Sequence, residues 1–251
     1  MRVRVFHTAQ EAARAAAGAV ADQLATKPES VLGLPTGRTV VEVYAELTRL
    51  YAIGEVDFAR AHTFNVDEFV GVHSEDARSY CAFMQQHLFS QINLPKNHVH
   101  FLDGATADHE LECGRFEREL ASTGGLDLLL LGLGNNAHVG FNEPARSLRP
   151  RTHRTRLAAD TRRANASRFG GNREDVPREA LTMGIGTLLG ARAICLIATG
   201  ASKARAVAAM FSGRLSTYQP ASFLQLHENV EVMLDLAAAE KLPESGFDAQ
   251  P

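Results

Sequence analysis

The sequence predicts an α/β fold with a mostly parallel sheet and helices on both of its faces. Three observations predict it. Short apolar runs alternate with longer amphipathic or alanine-rich stretches along the 251 residues, the βαβα order that produces a parallel sheet with right-handed crossovers. The most apolar run, Leu128-Leu129-Leu130-Leu131 with Leu126 before it, shows no polar alternation, as a strand covered on both faces requires. Four of the runs empty into loops rich in Gly, Thr, Asn and charged residues, and a parallel sheet brings such carboxyl ends to one edge.

Taken in order, Val3 and Val5 alternate with arginines, so residues 2–6 read as an edge-like strand. Thr8-Ala9-Gln10-Glu11 fits a capping box, and the alanine-rich run to about Ala25 is a helix. Residues 30–34 form a strand that ends in Pro35-Thr36-Gly37-Arg38-Thr39, with a helical pattern to Tyr51 behind it. Residues 61–66 are a strand ending in Asp67-Glu68, and Phe69 to Val72 lead into a loop. A helix is expected from about Ala77 to Ile92 with Tyr80, Phe83, Met84 and Leu88 on one face. Residues 98–101 read as a strand, 106–122 as a charged amphipathic helix, and 126–131 as the central strand.

Beyond Pro144 the pattern is less regular. Residues 151–157 alternate as a strand and 160–169 look helical. Gly170-Gly171 is a break, and Pro177 starts another short helix. Glycines and arginines around a short helix predict a mobile segment, a lid over about residues 157–178. Residues 193–198 are a buried strand ending in Thr199-Gly200-Ala201-Ser202-Lys203, followed by a helix to about Phe211. A helical piece at 221–226, a strand at 230–234 and a helix at 235–241 complete the chain, with 242–251 expected to fray.

Composition narrows the function. A net charge of −3 gives no footprint for nucleic acid. Three scattered cysteines, Cys81, Cys113 and Cys195, make no disulfide framework and fit a reducing cytoplasm. The N-terminus lacks a signal-peptide core, and no apolar run reaches the ~18 residues of a membrane span. A cytosolic protein is expected, folded as a single domain over 1–251. His98 and His100 alternate on one strand, but no further ligands stand at metal spacing, so no metal and no cofactor are expected.

The four loops define two half-sites. Thr36, Gly37, Thr39, Lys203 and an arginine from the mobile segment suit a phosphate at helix N-termini. A lysine in the first helical turn opposes the helix dipole, so its position there calls for an anion. Asp67, His138 and Glu143 supply two bases on opposite sides of a crevice. Such a pair suits ring opening of a phosphorylated sugar and proton transfer between neighbouring carbons. Neither a nucleophile elbow nor a Walker loop is present, and GLGNNA at 132–137 lacks the third glycine of a dinucleotide fingerprint.

LGLPTG at 32–37, TFNVDEFVG at 63–71, SYCAFM at 79–84, GLGNNAHVGFNEPA at 132–145, VPREALTMGIGTLL at 176–189 and PASFLQLH at 220–227 resemble, in that order, the glucosamine-6-phosphate deaminases. The resemblance covers about residues 30–230. It implies a modified Rossmann-like α/β/α sandwich and conversion of glucosamine 6-phosphate and water to fructose 6-phosphate and ammonia, without metal or redox cofactor. It implies that Asp67 moves a proton between C2 and C1, that His138 assists ring opening, and that Glu143 pairs with His138. Thr36, Gly37, Thr39, Arg168 and Lys203 are implied to hold the phosphate, with Tyr80 near the site.

The chain also departs from the family pattern. Asn136 stands where some members carry an aspartate that completes a carboxylate–His–carboxylate set. An asparagine fixes the ring without adding charge. Ala137 replaces a usual glycine, at a cost of about 1–2 kcal/mol if the backbone is left-handed there. Arg38 replaces a small residue in the phosphate turn, where it either reaches the phosphate or points outward, and Val40 replaces a usual proline. Residues 146–156 match poorly the basic segment through which some members respond to N-acetylglucosamine 6-phosphate, so no such activation is expected. The competing readings are a galactosamine-6-phosphate deaminase, a 6-phosphogluconolactonase and a non-catalytic sugar-phosphate sensor. A monomer and a homo-oligomer are both compatible with the sequence.

Overall fold

The structure, a computed structural model, describes residues 1–242 and the backbone of 248–249. Its main sheet has eight strands, all parallel. They are β1 (Arg2–Phe6), β2 (Val31–Leu34), β3 (His62–Asn65), β5 (Val99–His100), β6 (Leu128–Gly132), β9 (Ala193–Ala198), β10 (Val230–Asp235) and β11 (Asp248–Ala249), in the order β11-β1-β10-β9-β6-β2-β3-β5. The chain builds β2, β3 and β5 outward, then returns to lay β6 on the other side of β2. That reversal is the switch point at which open α/β sheets form a crevice.

The leucine run explains why β6 is central. Leu129 and Leu131 point into one core and Leu128 and Leu130 into the other, and all four are buried. Each such side chain contributes roughly 1.5–3 kcal/mol of burial. On one face lie α1 (Ala9–Thr26), α2 (Arg38–Ala52) and α3 (Tyr80–His87), with Ala16, Val20, Val43, Leu47 and Met84 in their core. On the other lie α4 (His109–Ser122), α6 (Ile185–Leu189), α7 (Ala204–Met210) and α8 (Leu236–Ala239), through Phe116, Leu188, Val207 and Ala238. The capping box at α1 forms as expected, Glu11 N–H donating to Thr8 Oγ1 at 3.1 Å and Thr8 N–H to the Glu11 carboxylate at 3.0 Å.

A second sheet departs from the expected βαβα order. β4 (Asp67–Phe69), β8 (Glu179–Thr182) and β7 (His153–Arg156) form an antiparallel sheet with β8 in the middle. Phe69 therefore continues a strand instead of opening a loop. Pro177 does not start a helix, because Ala180, Leu181 and Thr182 are buried strand residues and the helix comes later as α6. Phe169 and Val176 of the 157–178 segment pack with Phe69, Tyr80 and Phe141 in a separate apolar cluster. That segment contains α5 (Ala159–Asn165) and single 3₁₀ turns at Ala166–Phe169 and Arg173–Asp175. Buried Arg162 ties it together by donating to the carbonyls of Val176 (3.2 Å) and Arg173 (2.9 Å).

Other boundaries also shift. α3 starts at Tyr80 because Ser79 caps it, its hydroxyl accepting from Ala82 N–H, and a 3₁₀ turn at Phe89–Gln91 replaces its expected last turn. Only Val99–His100 of the 98–101 run is strand. β1 is not an edge, since Asp248–Ala249 pairs with Arg4 and Val5. Of the tail expected to fray, 243–247 and 250–251 lie outside the described residues. Among the described residues no helix is long and apolar enough to cross a membrane.

Candidate active site

Strands β9, β6, β2 and β3 are consecutive neighbours in the sheet and all run the same way. Their carboxyl ends therefore deliver the four loops singled out in the sequence to one edge. Asp67 follows β3, His138 and Glu143 follow β6, Thr36–Thr39 follow β2, and Lys203 follows β9.

The histidine half is built by the loop after β6. Glu143, 8% exposed, holds Oε2 3.4 Å from His138 Nδ1. The same oxygen accepts from Asn136 Nδ2 at 2.9 Å, and Oε1 accepts from Ala158 N–H at 3.2 Å. Burial works to raise the Glu143 pKa, but the bonds and charge of His138, with bonds from Thr161 and Asn136, prevail and hold it below its ordinary value. Asn136 Oδ1 accepts the His138 backbone N–H at 3.3 Å, and Thr161 Oγ1 lies 3.4 Å from His138 Nδ1. The imidazole rests on Gly134, where a Cβ would meet ring atoms at 2.4 Å. Ala137 has φ +65°, so the condition for the cost of a left-handed backbone is met on an alanine.

The other base is Asp67, 6% exposed. Its carboxyl is pushed well above the ordinary carboxylate range, first by burial and then by the neighbouring Glu68. A Cβ built on Gly140 would lie 3.6 Å from Asp67 Oδ2, which puts this carboxylate against the histidine loop. Glu68 points the other way. It accepts the N–H groups of Phe69, Tyr80 and Cys81 at 2.8–3.2 Å and so seats the start of α3. Burial lifts Glu68 to about 7, against the pull of those bonds and of the Arg168 charge.

The anion half starts at Gly37, whose φ of +136° and ψ of 171° are open only to glycine. No side chain caps α2, so the N–H groups of its first turn, with Thr36 and Thr39 beside them, face the crevice edge uncapped. α7 spans only Ala204–Met210, so α2 supplies most of the dipole. Lys203 is held down at about 8, first by burial and then by the Arg38 charge. Arg38, itself exposed, is thus close enough for its charge to act on Lys203.

Arg168 stacks over Tyr80 and Phe83, its guanidinium carbon 5.6 and 4.9 Å from the ring centroids. The Tyr80 hydroxyl lies beside Thr36 of the anion turn, although Thr36 Oγ1 is buried without a hydrogen bond of ordinary geometry. The Tyr80 hydroxyl donates to Asn165 Oδ1 at 3.3 Å. Sequence reasoning missed the Thr161 contact, the Ala158 N–H and the capping role of Glu68. Thr161 had no visible signal, because only the fold brings residues 157–161 beside Glu143. A groove of ≈1070 Å³ between α4 and β7 lies elsewhere and has none of these residues in its walls. Among the described residues no group of three or more His, Cys, Asp or Glu side chains is arranged to hold a metal ion.

The family described as glucosamine-6-phosphate isomerases/6-phosphogluconolactonase matches residues 6–233. The chain belongs to this family. Within it, the chain is 41% identical over 244 residues to a glucosamine-6-phosphate deaminase of Thermoanaerobacter sp. (strain X514), covering 97% of this chain and 96% of the relative. It is 43% identical over 242 residues to a glucosamine-6-phosphate deaminase of Halothermothrix orenii, covering 96% and 100%. Among solved structures, a monomeric glucosamine-6-phosphate deaminase superposes with a TM-score of 0.93 at 40% identity, covering 96% of this chain and all of the other. The 6-phosphogluconolactonase of Trypanosoma brucei, at 20% identity and a TM-score of 0.69, shares the fold.

Proposed function

We propose that this family member converts glucosamine 6-phosphate and water to fructose 6-phosphate and ammonia, an aldose–ketose isomerisation with deamination in amino-sugar catabolism. One observation carries the reading. A buried carboxyl of raised pKa at Asp67 and the linked set Asn136, His138 and Glu143 meet in one crevice beside an uncapped helix N-terminus. Relatives 41–43% identical along nearly their whole lengths carry the deaminase name, whereas likeness to the lactonase rests on fold.

In this reading the phosphate sits on the α2 N-terminus between Thr36, Gly37, Thr39 and Lys203. Arg38 adds charge at the rim, and Arg168 approaches over Tyr80. His138, backed by Glu143, passes the anomeric hydroxyl proton to the ring oxygen and opens the sugar. Asp67 then removes the proton from C2, and the freed pair forms a C1=C2 bond as the aldehyde oxygen takes a proton. Return of a proton to C1, with loss of one from nitrogen, leaves an imine at C2. Water adds to C2, the C–N bond breaks toward nitrogen, and ammonia departs from the ketone. Burial suits Asp67 to this work by bringing its proton affinity toward the working pH. Residues 157–178 are proposed to act as the lid, since Ala158, Thr161 and Arg168 all reach the site from that segment.

The test is ammonia release from glucosamine 6-phosphate, beside the galacto epimer and 6-phosphogluconolactone. Ammonia from the gluco sugar is expected. No ammonia from either amino sugar overturns the reading, and lactone hydrolysis in its place transfers the chain to the lactonases.

A further inference from the structure

Two turns flank the end of β6, and they are alike. β2 runs into Thr36-Gly37 and β9 into Thr199-Gly200. Gly200, with φ +88° and ψ 151°, repeats the positive-φ, extended conformation of Gly37. They differ in what their backbone binds. The Gly200 N–H is already taken by the Asp235 carboxylate, at 3.0 Å to Oδ1 and 2.9 Å to Oδ2.

Asp235 ends β10, is 8% exposed, and accepts a third bond from Ala238 N–H at 2.8 Å, which caps α8. α8 packs against the 201–203 turn. The Gly200 carbonyl in turn accepts the Lys203 backbone N–H at 3.0 Å. Two hydrogen bonds through one residue, Gly200, thus join the Asp235 carboxylate to the lysine's backbone. Only glycine adopts this conformation readily, and its wide freedom leaves the turn to be fixed by its partners; here Asp235 holds the N–H side.

We infer that Asp235 is a positioning residue for substrate binding, fixing the Gly200 turn so that Lys203 is aimed at the phosphate held by the Gly37 turn. The inference rests on the proposal that Lys203 holds the phosphate. Asp235 fills with its own carboxylate the place an anion would take in the second turn, which leaves the Gly37 turn for the substrate.

The test is steady-state ammonia release by Asp235→Ala, Asp235→Asn, Lys203→Ala and the Asp235→Ala/Lys203→Ala double variant, with thermal unfolding to confirm a folded protein. Asp235→Ala is expected to raise KM about tenfold while kcat stays within about threefold, the split expected when binding is lost but the chemistry is not. Asp235→Asn keeps one acceptor oxygen, and its KM is expected to rise only about threefold. In the Lys203→Ala background Asp235→Ala is expected to add almost nothing, because the two act as one unit.

A folded Asp235→Ala with wild-type KM overturns the inference. So does an undiminished KM increase on top of Lys203→Ala, which marks a general structural effect. Should Asp235→Ala fail to fold, an unchanged KM in Asp235→Asn overturns it. A wild-type KM in Lys203→Ala alone overturns the phosphate assignment of Lys203 instead.

Discussion

Asn136 Nδ2 donates to Glu143 Oε2 at 2.9 Å. Asn136 is thus a hydrogen-bond donor to the carboxylate that lies 3.4 Å from His138 Nδ1.

Asn136→Asp replaces that donor with an acceptor and sets two carboxyls side by side. Glu143 has a lowered pKa when folded, so it stabilises the fold above its ordinary value of 4.5, and that stabilisation is lost as pH falls through the folded value. The variant is expected to raise the Glu143 pKa, move the acid limb of kcat/KM to higher pH, and cost about 1–3 kcal/mol near neutral pH. An acid limb that stays in place counts against the arrangement.

Gly134→Ala tests the seat of the imidazole. The added Cβ would lie 2.4 Å from ring atoms of His138, closer than contact allows. Displacing the ring by about 1 Å is expected to lower kcat about 100-fold. Substrate binding at the Gly37 turn, followed by KM, should change much less. Wild-type turnover in this variant would show that the ring position is not critical.

Lys203 predicts an alkaline limb. In the free enzyme it loses its proton through about 8, so kcat/KM should fall as pH rises past that point. Arg38→Ala removes one cause of the depression and is expected to shift the limb to higher pH, short of the ordinary lysine value because burial remains. A limb unmoved in Arg38→Ala separates Arg38 from Lys203.

Asp67 links activity to stability. Its folded pKa is raised, so the ionised residue costs stability above its ordinary value of 3.8, and the cost disappears as pH falls below it. Asp67→Asn is therefore expected to abolish ammonia release while raising the urea midpoint near neutral pH. The gain should shrink toward about pH 4. A variant less stable than wild type at neutral pH, or one that keeps near-full turnover, would refute the assignment of Asp67.

Much of this was legible in the sequence, for identifiable reasons. β6, β2 and β9 are continuous apolar runs, and only a strand covered on both faces makes sense of Leu128 to Leu131. The crevice followed from parallel direction alone. The antiparallel sheet was not legible, because β4 and β8 are three and four residues long and pair across more than 100 positions. Residues 67–69 lack an apolar run, and Pro177 stands where a helix start was equally reasonable. Ala137 was legible as a problem, and its φ of +65° shows that the alanine carries the strain instead of avoiding it. The charge effect of Arg38 on Lys203 left no signal, since it depends on β9 and β2 flanking β6. Asp235 left one local signal, an aspartate directly before the helical LAAA. Its bond to Gly200, 35 residues earlier, left none.

Val66 N–H bonds the Leu34 carbonyl in the parallel sheet (3.1 Å), while the Val66 carbonyl accepts Met183 N–H from the antiparallel one (2.8 Å). The two sheets are therefore spliced at a single residue, and Asp67 is the first residue past the splice. Strand side chains alternate, so a one-residue slip turns each of them to the opposite face. Inserting one residue between Val66 and Asp67 would rotate the carboxylate out of the crevice while the eight-stranded core stayed assembled. Remodelling of this scaffold for other sugars thus has room for length changes in outlying loops and none at this junction.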